Sequence, residues 1–388
     1  MPDIEMVLDR VAKITDTIRE QAAESERLGH LAPPVVQALH DAELFRVLAP
    51  VELGGFGLTI PEGITVIERI AEHDASTGWV FAILAGGALF ARSFAPEAFA
   101  SVYGPKLGLA AGSLNPVATR AEAIDGGYRF TGRATYLSGS AHAKWLMAAA
   151  IVTSGGAPLV VDGGIEIRVG LIPIDQARSL DTWHVTGMRA TGSTDYEFDD
   201  VMVETGWTFE PFRPHAVVVG DVFSAIPIWA QLGGTLGACA VGAARNMINR
   251  FVELAATKVP AGGNFTSLAE RPPAQMAIGE AEGLCQAARA VLMDTVNRVW
   301  ARGESGEPFT NDVLAKQRVG IVTSVRLAAQ AIDLLHDAAG MNAVATDSVL
   351  DRCWRDIHTM TQHLILSPAR YEIAGRVLLG LEPGAPVI

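Results

Sequence analysis

Through the first hundred residues, apolar positions recur at helical spacing. Ile4, Val7, Leu8, Val11, Ile14 and Ile18 fall three or four apart with charged residues between them, the stripe of an amphipathic helix. Pro33-Pro34 opens a second predicted helix, ending near Phe45. The glycines of loop 50–57 permit positive φ, and helices are predicted again over 60–73 and 75–94. Near residue 107 the pattern changes to strands. Gly126-Gly127 reads as a hairpin turn joining 120–124 to 128–136, and 145–152, 166–174 and 196–203 are further predicted strands. Pro211-Phe-Arg-Pro214 reads as the exit linker. Long Ala/Leu-rich helices are then predicted over 226–256, 273–302, 311–340 and 348–363, and short loops make them an antiparallel bundle.

This order predicts a mainly α chain with a central β-domain, segregated and not alternating. The expected parts are an N-terminal helical domain (1–106), a β-domain of barrel or sandwich type (107–210) and a C-terminal four-helix bundle (211–388). Gly233-Gly-Thr-Leu-Gly237 lies inside an apolar helix and reads as a site of close helix packing, not a nucleotide loop.

Composition narrows the class. A mean hydropathy of +0.25 over 388 residues suggests apolar surface buried between subunits. A net charge of −13 argues against nucleic acid or an anionic membrane as partner. The most apolar stretch, 80–90, is too short to span a bilayer and reads as a core helix. The N-terminus has no basic or apolar leader region, so a cytoplasmic protein is expected. Cys239, Cys285 and Cys353 lie far apart without metal spacing and read as reduced, buried thiols; no metal site is predicted. Walker, Rossmann, GxSxG and HExxH motifs are all missing.

Four local patterns, in shared order and spacing, resemble the acyl-CoA dehydrogenase superfamily over nearly the whole chain. They are Phe45-Arg-Val-Leu-Ala-Pro50 with Glu52-Leu-Gly-Gly-Phe-Gly57; Gly132-Arg-Ala-Thr-Tyr-Leu-Ser-Gly139; Met188-Arg-Ala-Thr-Gly-Ser193 with Phe198-Asp-Asp-Val-Met-Val203; and Cys353-Trp-Arg-Asp356. Within it, Tyr136-Leu-Ser-Gly-Ser-Ala-His-Ala-Lys-Trp145, His73-Asp-Ala-Ser-Thr-Gly-Trp79, Asp181-Thr-Trp-His184 and Trp354-Arg-Asp-Ile-His-Thr-Met-Thr-Gln-His363 resemble the flavin-dependent monooxygenase branch.

That resemblance implies an oxygenase that takes reduced FMN or FAD from a separate NAD(P)H-dependent flavin reductase. With O2 as cosubstrate, it would transfer one oxygen through a flavin C4a-hydroperoxide to a small aromatic or heteroatom-containing substrate. It implies a homotetramer, a dimer of dimers. It places Ser138 near nitrogen-5 of the flavin as hydroxyl donor, with Tyr136 also on the cofactor, and His363 as an active-site imidazole trading a proton near neutral pH. Trp79, His142 and Trp183 would line the substrate pocket. Lys258, Arg250 and Arg271 would reach a neighbouring subunit's flavin phosphates. A dehydrogenase would need a carboxylate base; Gln362, His363 and Leu364 supply none, nor does 226–246.

Plainer readings stand beside these. His363 reads also as a helix-end histidine, Ser138 as a turn serine, the tryptophans as core and the cations as solvated charge. His358, five residues before His363, falls about 140° around the helix, off the active face. Ser140 has the weaker case of the two loop serines, and Arg355-Asp356 reads first as a structural ion pair. An acyl-CoA dehydrogenase or oxidase with an unrecognised base, and a non-catalytic flavin-fold assembly protein, remain the rival functions.

Overall fold

The computed structural model describes residues 3–91, 93–104, 106–211, 222–261 and 264–384. Six helices come first: α1 (Ile4–Ala12), α2 (Thr15–Leu28), α3 (Pro33–Asp41), α4 (Ile60–Ala71), α5 (Ala75–Ala91) and α6 (Pro96–Tyr103). The stripe over the first eighteen residues is interrupted between α1 and α2, yet Val7, Val11, Ile14 and Ile18 are all buried. The helix opened by Pro33 stops at Asp41, short of Phe45, because Glu43 turns to φ +57 and a 3-10 turn, Leu44–Arg46, follows. Sequence reading missed α6.

Local chemistry fixes the two helices nearest the site. Thr59 and Glu62 form a reciprocal capping box at the start of α4. Asp74 accepts from the backbone N–H of Thr77 (2.8 Å) and from its hydroxyl (2.7 Å), opening α5. At Gly78 a Cβ would lie 2.5 Å from the Cβ of Ala71, so α5 seats against α4 at a distance only glycine permits.

The strands are β1 (Ala110–Ser113), β2 (Thr119–Ile124), β3 (Gly127–Ala134), β4 (Trp145–Ser154), β5 (Ala157–Pro158), β6 (Val160–Val161), β7 (Gly164–Ile165), β8 (Ile167–Pro173), β9 (Arg178–Ser179), β10 (Tyr196–Glu204) and β11 (Thr208–Phe209). All but β6 and β7 join one sheet, in the order β11-β8-β4-β2-β3-β10-β9, with β1 and β5 on β4. The predicted β2–β3 hairpin is present, with Gly126 at φ +78 in its turn. β4 pairs antiparallel with β8 on one edge, while β1 and then β2 share its other edge, both parallel. The chain leaving β1 turns out of the sheet at Leu114-Asn-Pro116, which line the cavity described below. Only Pro211 of the predicted exit linker is among the described residues.

The C-terminal helices are α7 (Val222–Ala225), α8 (Ile228–Thr257), α9 (Pro272–Ser305), α10 (Asn311–Ala339), α11 (Val349–Met360) and α12 (Arg370–Leu378). Gly234 of α8 would place a Cβ 2.7 Å from Ile64 and 2.9 Å from Val296, and Gly237 would place one 3.0 Å from Leu292. The glycine run is thus the packing site expected of it. α10 and the turn after it are long and apolar enough to cross a membrane; α10 packs against α8, α9 and α12. The three cysteines are free and buried. Two corrections apply at the C-terminal end. The last predicted helix stops at Met360, leaving His363 in the following turn, and an unpredicted helix, α12, packs on α10.

The sheet and the bundle meet where Gly187 approaches α11. A Cβ there would lie 2.1 Å from the carbonyl oxygen of Arg355. Gly187→Ala should therefore cost about 1–3 kcal/mol, the usual range for overpacking, measured as a lowered unfolding midpoint. Gly283→Ala in α9, where a Cβ meets nothing within 4 Å, should be neutral or slightly stabilising.

Candidate active site

A cavity of about 1220 Å³ lies where α5, α8, α10 and the turn after α11 meet the face of β4 and β8. From β4, Met147 and Ile151 point into it; from β8, Ile167 and Val169 do so, as the two-residue strand period requires. Its volume exceeds the ~300–1000 Å³ of a single small-molecule site, so two ring systems fit. Ser138, Tyr136, Trp79, Trp183 and His363 all line it.

The hydroxyl of Ser138 belongs to a chain whose polarity is fixed at its far end. Thr191 Oγ1 donates to the carbonyl of Met188 (2.8 Å). Its single hydrogen is then spent, so Ser193 Oγ must donate to Thr191 (2.6 Å), and Ser138 Oγ must donate to Ser193 (2.6 Å). Trp79 Nε1–H donates to Ser138 Oγ (3.2 Å). Ser138 therefore offers the cavity an acceptor, not the donor expected from sequence. The neighbouring Thr135 Oγ1, also in the lining, is buried with no hydrogen-bond partner among the described residues.

His363 meets the Trp79 ring edge-on at 5.3 Å. The backbone N–H of Ile365 donates to His363 Nδ1 (3.3 Å), so a neutral ring carries its hydrogen on Nε2. Burial, with a smaller contribution from the charge of Arg370, pushes its pKa down to about 4. The imidazole is thus held neutral, which corrects the expectation of proton exchange near neutral pH.

Met188 joins these parts to the bundle. Its carbonyl accepts from Thr191 and from Trp183 Nε1 (3.0 Å), and its N–H donates to Asp356 Oδ1 on α11 (2.5 Å). Asp356 is 2 % exposed. Burial, with the charge of Asp74 adding, pushes its carboxyl up to about 7. Arg355 does not pair with it: the guanidinium instead reaches Asp351, Glu26 and the carbonyl of Thr186. The expected Arg355-Asp356 ion pair is in fact two separate clamps.

Two family models match the chain, the acyl-CoA dehydrogenase N-terminal domain over residues 1–107 and its C-terminal domain over 234–368. The indole-3-acetate monooxygenase of Pseudomonas putida is 30% identical, covering 95% of this chain and 93% of its own. The FADH(2)-dependent resorcinol hydroxylase oxygenase component of Rhizobium sp. is also 30% identical, covering 98% and 96%. The crystal structure of the HsaA monooxygenase from M. tuberculosis superposes with a TM-score of 0.90 at 26% identity, covering all of both chains. The chain belongs to the flavin-dependent monooxygenase branch of the acyl-CoA dehydrogenase superfamily.

In this monooxygenase-branch chain the other predicted site residues lie elsewhere. His142 is turned away from the cavity lining and packs edge-on against His30 at 5.6 Å, because its short 3-10 turn, Ser140–His142, faces the N-terminal helices. Its pKa is pushed down to about 4 by burial. Ser140 is also outside the lining. His358 sits off the cavity, as its helical angle implied, with Nε2 2.8 Å from Asp333. Lys258, Arg250 and Arg271 line no part of the cavity; Arg250 is held by Glu253 and Asn246. Sequence reading missed Ser193 and Thr191, although both stand in the quoted Met188–Ser193 motif. It also missed Arg318 and Arg370, which only folding brings to the lining. Among the described residues that lining holds no aspartate or glutamate.

Two pH dependences follow from these shifts. Burial holds the folded Asp356 carboxyl up at about 7, above the ordinary carboxylate range, so its contribution is complete below about 4 and is lost as pH rises toward 7. The stability of the protein relative to Asp356→Asn should therefore fall between pH 4 and 7 and then level off; a constant difference over that range would contradict the assignment. Titration of His363, followed by NMR of its ring, should have its midpoint near 4, and an inflection near 6.5 would show that the ring is not buried as described.

Proposed function

We propose that this chain is the oxygenase component of a two-component system. It takes reduced FMN or FAD from a separate NAD(P)H-dependent reductase and, with O2, inserts one oxygen atom into a small aromatic or heteroatom-containing substrate. The names of the relatives support this: one is an FADH(2)-dependent hydroxylase oxygenase component and another acts on indole-3-acetate. The observation that carries it is the pairing of the oriented Ser138 chain with a neutral His363 in a cavity whose lining, among the described residues, holds no carboxylate. Abstraction of a proton alpha to a thioester, the dehydrogenase reaction, finds no carboxylate base among the described lining residues.

The residues present fit a flavin. Thr135 Oγ1 is an orphaned hydroxyl in the wall, and the cavity has room for a tricyclic ring and a substrate. When bound, the reduced flavin would supply the electrons that activate O2. The chain's own contribution is orientation and exclusion of water. Ser138, its hydrogen committed to Ser193, accepts from an N–H, which matches the N5–H of reduced flavin better than the N5 lone pair of oxidised flavin. Trp79 holds Ser138 and His363 together, and His363 Nε2–H is a donor that stays uncharged at neutral pH. The apolar walls limit water at the site, which would oppose unproductive loss of peroxide.

We assign Lys258, Arg250 and Arg271 to the flavin phosphates of a neighbouring subunit in a homotetramer, a dimer of dimers. The lack of any role for them in their own cavity supports this, as does the exposure of Val252, Val259 and Met276 near them. The net charge of −13 supports a cytoplasmic protein that binds neither nucleic acid nor membrane.

Mixing the anaerobic, reduced-flavin protein with O2 should give hydroxylated product from a panel of phenols, indoles and thiophenes. Bleaching of the oxidised-flavin protein by acyl-CoA without a reductase would instead establish a dehydrogenase. Ser138→Ala and His363→Ala should each lower product formed per flavin oxidised by about 10–1000-fold, with peroxide released instead. Thr191→Val frees the hydrogen of Ser193, so the preference for reduced over oxidised flavin should shrink; an unchanged ratio of the two dissociation constants would refute the oriented chain.

A further inference from the structure

Arg318, on α10, is 4 % exposed and lines the cavity. Its Nε is buried with no hydrogen-bond partner, and among the described residues it forms no ion pair. Arg370, the first residue of α12, lines the same cavity, and its Nε donates to the carbonyl of Leu364 (2.6 Å), bracing the turn that carries His363. It too has no acidic partner among the described residues. Arg370 is close enough that its charge adds to burial in pushing Arg318 down to about 10. The same lining includes Trp229, Leu232 and Leu236 of α8. A buried guanidinium and a part-exposed one thus line the same cavity, with no carboxylate in the lining among the described residues. Buried charge of this kind is unfavourable unless a counter-charge arrives from outside the protein.

We propose that Arg318 and Arg370 form an anion subsite that binds a carboxylate carried by the substrate, making small ring-containing organic acids the preferred substrate class. This rests on the monooxygenase reading above. A planar guanidinium fork matches a carboxylate bidentately, and a second cation beside it accommodates the remaining lone pairs. The other available anion is the flavin phosphate. The interior pair is less suited to it, because Ser138 and Thr135, on the sheet side, are the groups that fit the flavin ring, whereas both arginines belong to the bundle. The phosphate already has candidate partners in the cations near the α8–α9 loop. A carboxylate held by Arg318 and Arg370 would leave its ring in the apolar space beside Trp79 and His363.

The test compares matched acids and amides, indole-3-acetate with indole-3-acetamide and 4-hydroxyphenylacetate with its amide. Binding is measured by anaerobic calorimetry on protein saturated with reduced FMN or FADH2, and again without flavin. The acid should bind at least 10-fold more tightly than its amide in at least one pair. Arg318→Leu should weaken the acid by about 10–100-fold, leave the amide unchanged and leave flavin affinity unchanged. Arg318→Lys should recover part of the loss. Because removing an unpaired buried charge relieves strain, Arg318→Leu should not lower the unfolding temperature of the ligand-free protein. Absence of any acid preference in the wild type, including no binding of either member of a pair, overturns the proposal. Equal weakening of acid and amide, a fall in unfolding temperature, or loss of flavin affinity with the acid preference intact does so too, the last assigning the pair to the phosphate. Failure of the functional reading looks different: the protein would bind no flavin, while acid and amide would still be distinguished without it.

Discussion

One hydrogen bond holds the site to the fold. The N–H of Met188, in a loop of the sheet region, donates to a buried carboxylate on α11, and the same residue's carbonyl terminates the hydroxyl chain that orients Ser138. The contact is possible because Gly187 has no side chain to hit Arg355 and because Met188 itself adopts φ +55. Asp356 is costly to bury, and nearby Asp74 makes its ionisation harder still. That cost is offset by what it positions, since the cavity has one wall from the sheet and another from the bundle. A loop free to swing away from α11 would take Trp183, Thr191 and Ser193 with it.

The polar groups of the cavity fall into two kinds. Around Ser138 every hydroxyl hydrogen but that of Thr135 has a partner, and the chain runs one way because a carbonyl can only accept. Such a network is rigid and presents a single polarity to a ligand. At Arg318 the reverse holds: the guanidinium is enclosed, its Nε without a hydrogen-bond partner and the group without an ion pair among the described residues. A satisfied network positions a group, whereas an unsatisfied charge selects one. His363 lies between them, neutral because the low-dielectric walls and the nearby Arg370 both oppose a proton on its ring.

Much of the architecture was legible because it follows from local rules. The hairpin at Gly126, the apolar helix after Asp74 and the long helices of the bundle rest on turn chemistry, capping and periodicity. The errors fall where local signals end. The helix after Pro33 stops early through a left-handed residue at Glu43, and the periodic run into His363 ends at Met360, so that the histidine sits in a turn. Short, weakly patterned α6 and α12 gave no signal strong enough to predict.

The sequence by itself determined the order of helices, strands and helices, the family, and the motifs that bring Trp79, Ser138 and His363 to one cavity, because each is encoded in a contiguous stretch. Only the tertiary structure decided what those residues can do. The direction of the Ser138 hydroxyl depends on a carbonyl fifty residues away, the neutrality of His363 on the walls around it, and the fate of His142 on which side of its turn faces the core. Arg318 and Arg370 share no motif and lie on different helices; only packing brings both to the lining of one cavity. Proton position and charge are set by the surrounding field and dielectric, which depend on neighbours in space and not on neighbours in sequence.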